Sequence, residues 1–173
     1  MRKKVCQSCK TPFTPERPLQ STCSIPCAID KAKEIRAKRE RKEHREAKAK
    51  LKTRRDWLRE AQAAFNRFIR TRDMGQPCIS CGRHHQGQWH AGHYLSTGAR
   101  PELRFDERNV HLQCQPCNTH LSGNIVLYRQ GLIAKIGLAA VEELEGPHEP
   151  KKYTVEDLKA IKAMYTARIK ELA

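Results

Sequence analysis

The chain has no apolar run approaching the ~18–20 residues that a bilayer-spanning helix needs, so no segment reads as a transmembrane helix. Aromatic residues are scarce, at 6% of 173 residues, and hydrophobic residues make up only 38%. A large apolar core is therefore not expected, and small domains with thin cores usually need a staple such as a metal or a disulfide. Acidic residues are also in short supply: 19 stand against 34 Lys and Arg, for a formal net charge of +15. That imbalance points to a polyanionic partner, nucleic acid first and an anionic membrane surface second. The opening MRKKVCQSCK has basic residues with no apolar stretch behind them, so it does not read as a secretory signal. A cytoplasmic location is expected.

Cysteine, by contrast, is plentiful and paired. The eight cysteines fall into Cys6/Cys9, Cys23/Cys27, Cys78/Cys81 and Cys114/Cys117, with none left over. In a reducing compartment such pairs argue for metal rather than disulfides. Four pairs make two zinc sites of four thiolates each: Cys6, Cys9, Cys23 and Cys27 in one, Cys78, Cys81, Cys114 and Cys117 in the other. The first site spans a Pro- and Thr-rich segment that reads as turns, so zinc would supply most of its folding free energy.

Composition divides the chain into three segments: a four-cysteine zinc unit over 1–29, a basic charged helix or linker over 30–56, and a second domain over 57–173. Residues 28–72 contain neither Pro nor Gly and read as continuous helix. The first part lacks an apolar stripe and is expected to project into solvent, supported by i,i+4 pairs such as Glu34/Lys38. It is either a solvated spacer or a basic arm that tracks phosphates, with Arg54 and Arg55 at its far end. From Trp57 on, Ala61, Ala64, Phe65, Phe68 and Ile69 recur at helical spacing, which predicts an amphipathic helix packed on the domain C-terminal to it. Gly75 and Pro77 stop it.

The stretch between the last two cysteine pairs carries the chemistry. Cys78-x-x-Cys81-Gly82 reads as a zinc knuckle whose turn needs glycine. Gln88–Tyr94 is predicted as a strand, with Leu103–Phe105 and Asn109–Gln113 as its partner. Pro116 opens a helix running through His120 toward Gln130. The 32 residues between the pairs exceed a simple zinc ribbon, and the excess is a hairpin. The expected fold is α+β: a small zinc-stabilised core of hairpin and helix, with long flanking helices and the N-terminal zinc unit. Further on, Gly131 and Gly137 are predicted helix breaks, and Ile133, Ile136, Leu138, Val141 and Leu144 are predicted to cover the core. Thr154 to Asp157 reads as a capping box opening a last helix, whose apolar face is core or a homodimer contact.

The string AGHY…ELRF…NVHLQCQPCNTHLSGN…Y resembles the NinG (Rap) recombination endonucleases of lambda-type phages. The arrangement also resembles the HNH, or ββα-metal, endonucleases with a treble-clef zinc site. The resemblance implies a metal-dependent, structure-selective DNA endonuclease acting on branched recombination intermediates such as Holliday junctions or D-loops, alongside phage or host recombination proteins. It implies a catalytic set of His93, Asn109 and Asn118, with His93 as general base, Asn109 orienting it and Asn118 holding a single Mg²⁺ or Mn²⁺. The HNH pattern places an Asp directly before the base, and here that position is Gly92. His90, two residues earlier on the same strand face, is the expected substitute ligand, and a nitrogen ligand favours Mn²⁺ over Mg²⁺. His120 competes with Asn118 for the helix ligand position. Arg100 and Arg104 are expected on phosphate, His111 at the site or behind it, and His84 and His85 as zinc ligands or satisfied surface residues. The alternative is a non-catalytic, zinc-dependent DNA-binding protein with a degenerate centre.

Overall fold

The computed structural model describes residues 3–172 and divides into two units, Met1–Lys52 and Thr53–Ala173. In the first, β1 (Lys4–Val5) pairs antiparallel with β2 (Pro12–Phe13), and α1 (Ile25–Lys50) comes after them. Ser24 caps α1 by accepting from the Cys27 N–H, and Pro26 lies in its first turn, where a missing N–H costs nothing. No residue of α1 is buried, and ion pairs such as Lys38–Glu34 and Arg36–Glu40 run along its surface.

The expected continuous helix over 28–72 is corrected on two counts: it begins at Ile25 and is interrupted at residues 51–53. Thr53 is the reason. Its hydroxyl accepts from the Asp56 N–H while the Asp56 carboxylate accepts from the Thr53 N–H, so a second helix, α2 (Arg54–Arg72), starts here with its own capping box.

In the second unit, β3 (Trp89–His93) and β4 (Val110–Cys114) form an antiparallel pair with helices against both faces. Alternation sends Ala91, His93, Val110 and Leu112 to one side and His90, Gly92, His111 and Gln113 to the other. On the first side, Val110 and Ala91 pack with Phe65, Phe68 and Ile69 of α2 and with Tyr165 of the last helix, Val155–Glu171. On the second, Tyr128 and Leu132 of α3 (Ile125–Ile136) join Tyr94, Leu103, and Val141 and Leu144 of α4 (Leu138–Glu145). The apolar face of the last helix, α5, is core within the chain, and its capping box at Thr154 and Asp157 is present.

Other expectations are revised. Leu103–Phe105 is not strand: Pro101–Leu103 and Glu107–Asn109 are single 3₁₀ turns, and β4 starts at Val110. The helix expected to run from Pro116 toward Gln130 ends after one π-helical turn, Pro116–His120. Ser122, Gly123 and Asn124 then all take positive φ, which no helix continues through, and α3 begins afresh at Ile125. Gly131 does not break α3; only Gly137 does. A Cβ at Gly131 would lie 2.0 Å from the Ile79 carbonyl oxygen, so this glycine lets α3 press its backbone onto the Cys78–Cys81 knuckle. Leu138, expected over the core, is exposed.

Candidate metal centres and histidine site

The sulfurs of Cys6, Cys9, Cys23 and Cys27 lie within 4.8 Å of one another, and so do those of Cys78, Cys81, Cys114 and Cys117. Tetrahedral zinc with bonds of about 2.3 Å sets sulfur separations of about 3.8 Å. The separations of 3.5 Å for Cys9–Cys23, 3.6 Å for Cys23–Cys27 and 4.0 Å for Cys81–Cys114 bracket that value. All eight cysteines are free of disulfides. Burial alone would raise the Cys6 thiol, yet backbone N–H groups of Cys23, Cys9 and Ser8 bring it down to about 6. Cys78 likewise falls below its ordinary value, the N–H groups of Cys81, Cys114 and Ser80 outweighing its burial. Amides aimed at sulfur favour the thiolate that zinc requires. Each cluster can hold a zinc ion. Gly82 turns the knuckle at φ +67°. His85, expected as a zinc ligand or a surface residue, has Nε2 3.2 Å from Cys81 Sγ.

Around His93 the strand and the loop after it close on one another. His93 is half-buried at the end of β3, its ring 6.4 Å from that of Phe65. Its Nε2 lies 3.1 Å from the Arg104 carbonyl oxygen, which can only accept, so Nε2 carries the proton and Nδ1 the lone pair. Burial lowers the pKa of His93, and the Arg104 charge adds to that against the pull of the Arg104 and Ala91 carbonyls, so the ring is neutral near physiological pH. Asn109 is fully buried and reaches His93 only through backbone: its Oδ1 accepts from the Leu95 N–H, and its Nδ2 donates to the Leu95 and Leu103 carbonyls. It thereby ties the two ends of the loop that brings the Arg104 carbonyl to the ring.

The other face of the hairpin holds a different set. Tyr128, fully buried, sets its hydroxyl against the hairpin, accepting from the His111 N–H at 3.0 Å and donating to the Gly92 carbonyl at 2.8 Å. His111 is a supporting residue: its Nε2 lies 3.1 Å from the Arg108 carbonyl, and its Nδ1 lies 3.0 Å from the Arg72 guanidinium and 3.5 Å from an Asp73 carboxylate oxygen. Asp73, 4% exposed, also accepts from the Leu112 N–H and pairs with Arg72 and Lys135. Burial would raise its carboxyl, but His111, Arg72 and Lys135 hold it far below the ordinary range. Gln113 is fully buried; its Nε2 donates to Ser80 Oγ and to the Gly123 carbonyl. Gln113 Oε1 and His90 Nε2 are both buried without a hydrogen-bond partner.

The expected residues therefore divide between faces, with His93 on one side of β3 and His90 on the other. Asn118 and His120 both belong to the π-helical turn, Asn118 half-buried and His120 exposed. Among the described residues, the two cysteine sets are the groups of three or more Cys, His, Asp or Glu placed to share an ion. The arginines expected on phosphate have partners: Arg100 bonds Glu102 and the Gly146 carbonyl, Arg104 bonds Gln62 and the Thr97 carbonyl, and Arg54 bonds the Tyr153 carbonyl. Arg55 is exposed. Sequence reasoning does not reach Asp73, Tyr128 or Gln113. Only the alternation of β4 signals Gln113, as a polar residue sharing a face with His111.

Helices on both faces of a two-stranded hairpin, together with two four-thiolate centres, define a small α+β protein that zinc can staple. Residues 1–173 match the family described as Bacteriophage Lambda NinG protein, and the chain belongs to that family. It is 44% identical to "Protein ninG" of Salmonella phage P22 over 184 residues, covering 96% of this chain and 91% of the relative. Protein ninG of Escherichia phage lambda is 53% identical over 125 residues, 72% of this chain and 61% of the relative. The Enterobacteria phage H19B protein is 43% identical over 185 residues, 96% and 92% of the two chains. No solved structure matches. No helix among the described residues is long and apolar enough to cross a membrane.

Proposed function

We propose that the chain is a metal-dependent endonuclease of the HNH, treble-clef type that cuts branched DNA during phage recombination. The observation that carries the proposal is His93: a half-buried, neutral imidazole with Nε2 held by a backbone carbonyl and Nδ1 left as the proton acceptor. In the proposed reaction, water attacks phosphorus and its proton passes to His93 Nδ1 as the P–O bond to the leaving strand breaks and the leaving oxygen takes a proton from solvent water. A bound Mg²⁺ or Mn²⁺ would stabilise charge on the phosphate, with His90 and Asn118 as the expected ligands and His120 as the competitor for the second place. The preference for Holliday junctions or D-loops rests on the family resemblance, and the charge of +15 supports DNA as the substrate.

One observation favours the second reading, a zinc-dependent DNA-binding protein without catalysis: Gly92 leaves the expected acidic position without a side chain. A nicking assay with Mg²⁺ or Mn²⁺ on branched and linear duplexes decides between them. Cleavage of branched DNA that drops about 10²–10⁴-fold in His93→Ala, with both zincs retained, is the expected result. Equal cleavage by the variant removes His93 as the base, and binding without cleavage under either ion supports the second reading.

A further inference from the structure

We propose that Gln113 supplies, from the neighbouring strand, the oxygen ligand that Gly92 cannot, and that with His90 it forms a cation site spanning the hairpin. The role of that cation in cleavage rests on the nuclease reading above; the binding does not.

The register sets His90 directly opposite Gln113, with Gly92 beside them on the same face. A Cβ built on Gly92 would lie 2.1 Å from Gln113 Oε1, 2.9 Å from its Cβ and 3.0 Å from its Cδ. The amide oxygen of Gln113 thus occupies the space where a side chain at position 92 would begin. The orientation of that amide is fixed, because its other end donates to the Gly123 carbonyl, which cannot donate in return. Oε1 must therefore point away from Gly123, and there it has no partner.

The His90 nitrogen on the facing strand is in the same condition, buried and unpartnered. Buried polar atoms in folded chains are almost always satisfied, so two orphans on one face of one cross-strand pair call for a shared guest. An imidazole nitrogen and an amide oxygen are both ligands for a divalent ion. With no carboxylate among them, they suit Mn²⁺ better than Mg²⁺.

The test is Mn²⁺ titration of the full, zinc-loaded chain, followed by electron paramagnetic resonance. The wild type is expected to bind one Mn²⁺ with a histidine-nitrogen coupling in its pulsed spectrum. His90→Ala should abolish that coupling. His90→Ala and Gln113→Ala should each weaken binding by at least about tenfold, the lower end of what losing even an outer partner costs a metal site. Two zincs per chain and an unchanged helical spectrum qualify each variant. Should Gln113→Ala fail to fold, Gly92→Ala tests the same oxygen, because its Cβ claims the place of Oε1. The proposal is overturned if wild-type protein binds no Mn²⁺, leaving a bridging water as the only guest, or if folded variants bind it as tightly as wild type. Mn²⁺ binding through these residues without any DNA cleavage upholds the site and removes the nuclease reading. Cleavage with unchanged Mn²⁺ affinity in both variants does the reverse.

Discussion

His93 shows how a single side chain acquires a role from where it is buried. Its depressed pKa means that, between the folded value and the ordinary imidazole value of about 6.5, the unfolded chain binds more protons than the folded one. The stability contributed is full above that ordinary value and is lost as pH falls toward the folded pKa. Acid should therefore weaken the wild type more than His93→Gln below pH of about 6.5, compared by thermal melts with zinc bound to both. If His93 is the base, the rate of DNA cleavage should also rise with pH to a plateau, with its midpoint below the ordinary imidazole pKa. Sequence pattern places His93 on a strand and Asn109 near it, because spacing and strand periodicity are local. It does not reveal that the Arg104 carbonyl holds the ring, since a backbone group has no residue identity to read. Nor does it reveal that Arg100 pairs with Glu102.

The elements are legible where periodicity is strong and obscure where single side chains intervene. The amphipathic run from Trp57 marks the buried face of α2, but Thr53, which starts that helix, is masked by an unbroken stretch of helix-forming residues around it. Gly131 reads as a break because a glycine in a helix weakens it, while its use is a close approach visible only in three dimensions. Tyr128 is the clearest case of a hidden structural part. One hydroxyl satisfies two backbone groups of different strands, and nothing in the sequence marks it apart from any other aromatic on a helix. Tyr128→Phe removes the hydroxyl from the His111 N–H and the Gly92 carbonyl, which remain cross-strand partners of one another, so the loss is that of ordinary hydrogen bonds at about 0.5–1.5 kcal/mol each. Urea denaturation should show a loss of about 1–2 kcal/mol, with zinc content unchanged.

Across the whole chain, charge and metal are distributed unequally. Residues 1–52 hold 16 of the 34 basic residues and 6 of the 19 acidic ones. Much of this lies on α1, where Glu34, Glu40, Glu43 and Glu46 are each paired with neighbouring Lys or Arg. Whether α1 is a spacer or an arm on DNA is decided by salt dependence. Replacing Arg41, Arg45 and Lys48 with Gln keeps a helix-forming residue at each position. If these residues meet phosphates, the slope of log affinity against log salt should shrink by about 0.9 for each phosphate no longer neutralised. An unchanged slope identifies a spacer.

The packing of Gln113 over Gly92 has a consequence for how relatives of this chain can diverge. The two positions are not free to change one at a time. An acid introduced at 92 collides with Gln113, while a small residue at 113 leaves the Ser80 hydroxyl and the Gly123 carbonyl without their donor. Substitutions at touching positions are not additive. Exchange between the two arrangements therefore requires both changes together or a poorly fit intermediate. In an alignment of the family, Asp at 92 should occur with a shorter residue at 113, and Gly at 92 with Gln; free assortment of the two positions would show that the crowding can be relieved some other way.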